Sequence, residues 1–154
     1  MKVKVILLTV VVFFLSAAVC SAQNAHMGTW KLNEAKSHFG KGASKNNTVV
    51  YEAAGDQTKV TVDGVDASGG PTHNEWTGKF DGKYYAVTGS STGDMRSYTR
   101  VNSRTLGIRE KKGGKVVLTG TITVARNGKT RTVRTTGKNA QAKWITNTAV
   151  YDKQ

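Results

Sequence analysis

Cysteine, proline and carboxylate are all scarce in this chain. One cysteine in 154 residues excludes an intramolecular disulfide framework and any metal site built from several thiolates. One proline excludes a proline-rich linker or stalk. The length is short for an α/β barrel or a two-domain enzyme and fits one domain. Asp and Glu number 10 against 23 Lys and Arg, which leaves a formal net charge of +13. Long apolar runs are missing too, with one exception at the N-terminus.

That exception reads as an address. A basic start (Lys2, Lys4) precedes an apolar run over 5–19, and Cys20-Ser-Ala22 places small residues before a cut at Gln23. This is the three-part layout of a secretory signal peptide, and the run is shorter than the roughly 20 residues that span a bilayer. The expectation is a signal peptide over 1–22, a domain over 23–154, export to the periplasm or medium, and no transmembrane span after processing. An uncleaved anchor and a lipid-modified Cys20 are the alternatives. Processing also removes Cys20, so the exported domain has no disulfide to cross-link it.

The exported part is poor in aliphatic residues. Leu, Ile, Val and Phe number 3, 3, 12 and 2 after residue 22. So low a fraction with high net charge is a disorder flag. Three Trp, five Tyr and 19 Thr argue the other way, because aromatics bury large areas and Thr and Val favour strands. The low count points instead to a thin core, or to an interior that is partly polar or hollow.

Glycine places the turns. Asp81-Gly-Lys83, Gly113-Gly-Lys115 and Asn127-Gly-Lys129 are hairpin signals, since each supplies residues that tolerate positive φ. Weaker turns fall at 54–57, 68–71, 91–94 and 138–141. Between them lie ten strand-like runs: 28–33, 48–53, 58–66, 72–80, 84–89, 95–101, 105–111, 115–125, 129–137 and 143–153. Several alternate with period two, as half-buried antiparallel strands do. Trp76 and Phe80 share a face with Asn74; Val116, Leu118, Ile122 and Val124 share another. Residues 34–39 form at most a short helical turn. Ten short strands joined by hairpins make a meander, and a long meander removes its edges by closing. The expected fold is all-β, a single antiparallel up-and-down barrel of about 8–10 strands, with a β-sandwich as the alternative.

The ends of this meander carry a resemblance. Gly28-Thr-Trp30-Lys-Leu-Asn33 resembles the Gly-x-Trp first strand of the calycin superfamily, the lipocalins and fatty-acid-binding proteins, and Val150-Tyr-Asp-Lys153 resembles the last strand of the latter. The whole is similar to short secreted bacterial lipocalin-like proteins. The resemblance implies a closed barrel with one small, mainly hydrophobic ligand in its mouth and Trp30 plugging the closed end. Two departures stand out. Only about a dozen residues follow the first strand where fatty-acid-binding proteins place two helices. Tyr151 matches the last-strand Tyr, but Ala149 occupies the position of the carboxylate-holding Arg.

Charge is divided unevenly along the chain. Residues 23–94 carry seven Lys against eight acids, whereas 95–154 carry 14 Lys and Arg, including all seven Arg, against two acids. The second part therefore forms one basic sector of wall that attracts anions. Arg96, Tyr98 and Arg100 share one face at i, i+2, i+4. If that face is lumenal, they form an anion clamp, and buried arginines there require a bound anion or a facing carboxylate. If it is external, they are solvated surface charge. Lys129 and Arg131 share a parity with Val133. Trp76, Phe80, Arg96, Tyr98, Arg100 and Tyr151 are the candidate ligand-lining residues.

Catalytic patterns fail on inspection. Gly89-Ser-Ser91-Thr-Gly93 matches Gly-x-Ser-x-Gly, but a strand-like run follows it and no His follows His73. His26, His38 and His73 are scattered and read as surface histidines, so neither a metal nor another cofactor is expected. No RNA-binding fingerprint is present, so specific nucleic-acid recognition is not expected. The expectation is a monomeric, non-enzymatic binding protein for a small hydrophobic or amphipathic ligand, one that can carry an anionic group. The alternative is a cationic adhesion or inhibitor protein that binds anionic envelope polymers or lipids through its basic C-terminal half.

Overall fold

The computed structural model describes residues 24–154, so the signal peptide expected over 1–22 lies outside the described residues. Ten strands run in order: β1 (Gly28–Leu32), β2 (Lys45–Ala54), β3 (Gln57–Val65), β4 (Pro71–Gly78), β5 (Tyr85–Thr88), β6 (Met95–Asn102), β7 (Thr105–Lys112), β8 (Lys115–Val124), β9 (Thr130–Lys138) and β10 (Trp144–Lys153). Each pairs antiparallel with its neighbours in sequence, and β1 pairs with β10 (Trp30 opposite Lys153, Leu32 opposite Tyr151), which closes the barrel. The expected up-and-down barrel is what forms. A single 3-10 turn, Glu34–Lys36, follows β1, with the Asn33 side chain accepting from the Lys36 N–H.

The turn chemistry is local. Gly82, Gly113, Gly114 and Gly128 all take positive φ at the hairpin tips. The β6–β7 turn has no glycine; there Asn102 Oδ1 accepts from the Arg104 N–H at 2.9 Å. β2 begins three residues before the expected run because its register shifts between Asn46 and Thr48. Gly64 lies opposite, and a Cβ there would sit 2.1 Å from the Lys45 carbonyl oxygen, so only glycine admits this bulge. β4 stops at Gly78, and Phe80, expected within it, swings across the end of the barrel instead.

Alternation turns Trp30, Tyr51, Val60, Trp76, Tyr98, Leu106, Ile122, Val124 and Tyr151 into the lumen, where all are buried. Val116 departs from its expected face. It lies at a shift in the β7–β8 register, opposite Lys111, and is exposed. The hairpins β2–β3, β4–β5, β6–β7 and β8–β9 gather at one end with both termini of the described chain. That end is shut. Trp30 is fully buried there, its Nε1–H donating to the His26 carbonyl at 2.8 Å, so residues 24–27 are strapped across the base. Trp30 thus occupies the plug position that the resemblance implied.

Candidate functional site

The other end of the lumen is hollow. A cavity of about 810 Å³ opens between the β1–β2, β3–β4, β5–β6 and β9–β10 connections. Two features of the sequence make this space. Ten strands enclose a wider lumen than eight, whose interior side chains can just fill. The inward positions near the mouth are also small: Thr72, Thr135, Gly137, Asn147 and Ala149 all line the cavity. Val49, Val62, Ile108, Leu118, Ile122 and Val133 supply its apolar wall.

Halfway up one wall stands a buried ion pair. Arg96 Nε donates to Glu110 Oε1 at 2.6 Å, and its Nη2 donates to Asn74 Oδ1 at 3.1 Å. Thr92 Oγ1, on the β5–β6 loop, donates to Glu110 Oε2 at 3.2 Å. Burial opposes the guanidinium charge, but the adjoining Glu110 carboxylate outweighs it and holds the Arg96 pKa above its ordinary value. Next to Arg96 on the strand, Tyr98 packs edge-on to Trp76 at 4.8 Å between ring centroids. Burial, and then the adjacent Tyr51, push the Tyr98 hydroxyl pKa upward.

A second cation lies at the floor. Arg131 is 2% exposed, with its Cζ 4.9 Å from the Trp30 ring, 5.1 Å from Tyr51 and 4.7 Å from Tyr151. It faces no carboxylate, and its Nε and Nη1 have no hydrogen-bond partner among the described residues. Beside Tyr51, His26 is fully buried with both ring nitrogens unpartnered. Desolvation, then repulsion from Arg131, Arg100 and Lys153, lowers its pKa from 6.5 to about 4. His26 is therefore neutral at pH 7 and is not the surface histidine that the sequence suggested; His38 and His73 are exposed as expected. Among the described residues no group of three His, Cys, Asp or Glu is placed to hold a metal.

The six candidates divide evenly. Arg96, Tyr98 and Tyr151 line the cavity. Trp76, Phe80 and Arg100 do not. Trp76 is buried at the closed end, with its Nε1–H donating to the Arg96 carbonyl at 3.0 Å, and Phe80 stacks on it. Arg100 shares the inward parity of Arg96, but it is the last such position before the β6–β7 turn and emerges at the rim. There it is exposed, with its Cζ 5.6 Å from the Phe80 ring. Arg96 and Arg100 therefore do not converge into a clamp. The facing carboxylate that a lumenal arginine required is present, as Glu110. Glu110, Asn74 and Arg131 complete the site, and each left a trace in the sequence: Asn74 is in phase with Trp76. Glu110 is the lone acid in phase with Leu106 and Ile108, and Arg131 is in phase with Val133.

No family model matches the chain, and no curated protein matches it. Among solved structures, a redesigned β-barrel shares 12% identity over 88% of this chain and 97% of its own, with a TM-score of 0.48. The protein EF1p2_mFAP2b bound to DFHBI shares 12% over 84% and 94%, with a TM-score of 0.47. The assignment of a closed barrel rests on the strand pairing of this chain itself, from β1 through to its ladder with β10.

Proposed function

We propose that the protein is an exported, non-enzymatic barrel of calycin type that carries a small amphipathic molecule in its lumen. The open cavity of about 810 Å³ carries this reading. It is in the size range of small-molecule sites, mainly apolar in its wall, and furnished with a few fixed polar groups, the combination that orients such a ligand. Among the described residues a catalytic reading lacks a nucleophile–base pair: Glu110 is committed to Arg96, and Asp66, the other carboxylate that lines the cavity, accepts from the Ser68 hydroxyl and the Ser68 and Gly70 N–H groups of its own turn. Titration with the neutral probe N-phenyl-1-naphthylamine tests the carrier. Saturable binding is expected, with Ala149→Phe, which fills the cavity, weakening it at least about tenfold while the far-ultraviolet circular dichroism is unchanged. Equal binding by this variant overturns the reading.

The outer wall favours a second reading. The outward faces of β7–β10 carry Arg109, Arg134 and Lys138 among a field of threonines, and a shallow groove of about 290 Å³ runs past Thr121, Thr123, Thr132 and Arg134. The one outward carboxylate, Asp152, accepts from Asn33 Nδ2 at 2.7 Å. Such a face suits a polyanion. Affinity for anionic vesicles or an acidic polysaccharide would then fall steeply as salt rises; affinity that ignores salt sinks this reading.

A further inference from the structure

We infer that Arg131 is the seat of a monoanion-binding subsite at the floor of the lumen, so that the cargo is an amphiphile bearing one negative charge. This rests on the lumen being the binding site.

Charge accounting selects the class. Of the two lumenal arginines, Arg96 is neutralised by Glu110 at 2.6 Å, whereas Arg131 faces no carboxylate. The three surrounding aromatic rings offer only their quadrupoles, and the Nε–H and Nη1–H groups stay unpartnered. A buried cation left this way is costly, and an anion within hydrogen-bond reach removes the cost. Arg131, Tyr51, Tyr98 and Tyr151 all line the cavity, so the guanidinium is reachable from the mouth. Burial pushes the Tyr151 hydroxyl up to about 12, which keeps it a protonated donor at neutral pH. Lys112 and Lys138 also line the cavity but are exposed at its mouth, so with His26 neutral the buried part of the lumen holds one uncompensated positive charge. One negative charge matches it; a second would be buried without a partner. The anion would lie head-down on the aromatic floor, its apolar part against Ile108, Ile122 and Val133.

Two probes with a common frame test the subsite on the intact protein. 1-Anilinonaphthalene-8-sulfonate carries one sulfonate that N-phenyl-1-naphthylamine lacks. The sulfonate is expected to bind the wild-type protein roughly tenfold or more tighter than the neutral probe, and Arg131→Met is expected to abolish that preference while keeping the neutral probe bound. A wild-type protein with no preference, or a preference that survives Arg131→Met, overturns the subsite while neutral-probe binding leaves the carrier standing. Binding of neither probe overturns both. Should Arg131→Met fail to fold, the wild-type protein decides alone through the imidazole resonances of His26. The groups that repel a proton there are Arg131, Arg100 and Lys153. An anion seated on Arg131 offsets the first of these, so the sulfonate is expected to raise the His26 pKa from about 4 and the neutral probe to leave it in place. Equal effects of the two probes overturn the proposal.

Discussion

The two halves of the lumen are built from the same ten strands, yet one is solid and the other hollow. In the closed half the inward positions carry Trp30, Tyr51, Trp76 and Leu106, with Phe80 folded across the end. In the open half the same alternation delivers Thr72, Thr135, Gly137, Asn147 and Ala149. Period two decides which residues face inward in both halves; side-chain volume alone decides whether they meet in the middle. The polar groups follow the same division. Arg96 and Glu110 pair across the wall of the hollow half, whereas Arg131 and His26 sit among aromatic rings with unpartnered nitrogens. Trp30, Trp76 and Phe80 are gathered where the barrel closes, and a cavity is left beyond them, where most inward side chains are aliphatic or small.

Substitutions can break this contrast. Trp76→Ala empties the packed half and is expected to cost about 3–5 kcal/mol in urea unfolding. Leu118→Ala, beside a space that already exists, is expected to cost less than about 2 kcal/mol; equal costs would mean that the two halves are equally packed. Glu110→Gln keeps a hydrogen-bond acceptor but strips Arg96 of its counter-charge, for an expected loss of roughly 3 kcal/mol. The double variant Arg96→Met, Glu110→Leu is expected to recover most of it, and an additive loss would show that the pair is not coupled.

The His26 contribution is smaller and depends on pH. Its folded pKa is depressed to about 4 from 6.5, so between those values the unfolded chain binds a proton that the folded chain refuses. Stability is therefore full above about pH 6.5 and falls as pH drops toward 4, by at most about 3 kcal/mol. His26→Phe is expected to flatten that slope; an unchanged slope would place its origin in the carboxylates. The smallest effect belongs to the outer wall of the first half. Lys59–Glu75 is an exposed ion pair at 2.6 Å, and its removal is expected to leave the unfolding midpoint almost unchanged at low salt and wholly unchanged at high salt.

Much of the barrel was legible because its signals are local. Glycines at 82, 113 and 128 mark hairpin tips, and Trp76 in phase with Asn74 reveals an inward face without any tertiary knowledge. The site was legible only in part. Arg96, Tyr98 and Arg100 share one face, as their spacing predicts, but parity has no depth: Arg96 lies within the barrel wall and Arg100 at its rim, and only their distance from the β6–β7 turn separates them. Arg131 was in phase with Val133 but looked no different from the other basic residues of its half. His26, in a run with no pattern, gave no sign that it would be folded under Trp30.

Strand count, meander order and the two faces of each strand are written in local pattern, because alternation and turn chemistry act between residues a few positions apart. Which end is shut, that Glu110 answers Arg96, and that the Arg131 Nε and Nη1 find no partner among the described residues are settled by packing. Those outcomes depend on how far side chains from opposite walls reach across a closed lumen, a distance that exists only once β1 has met β10.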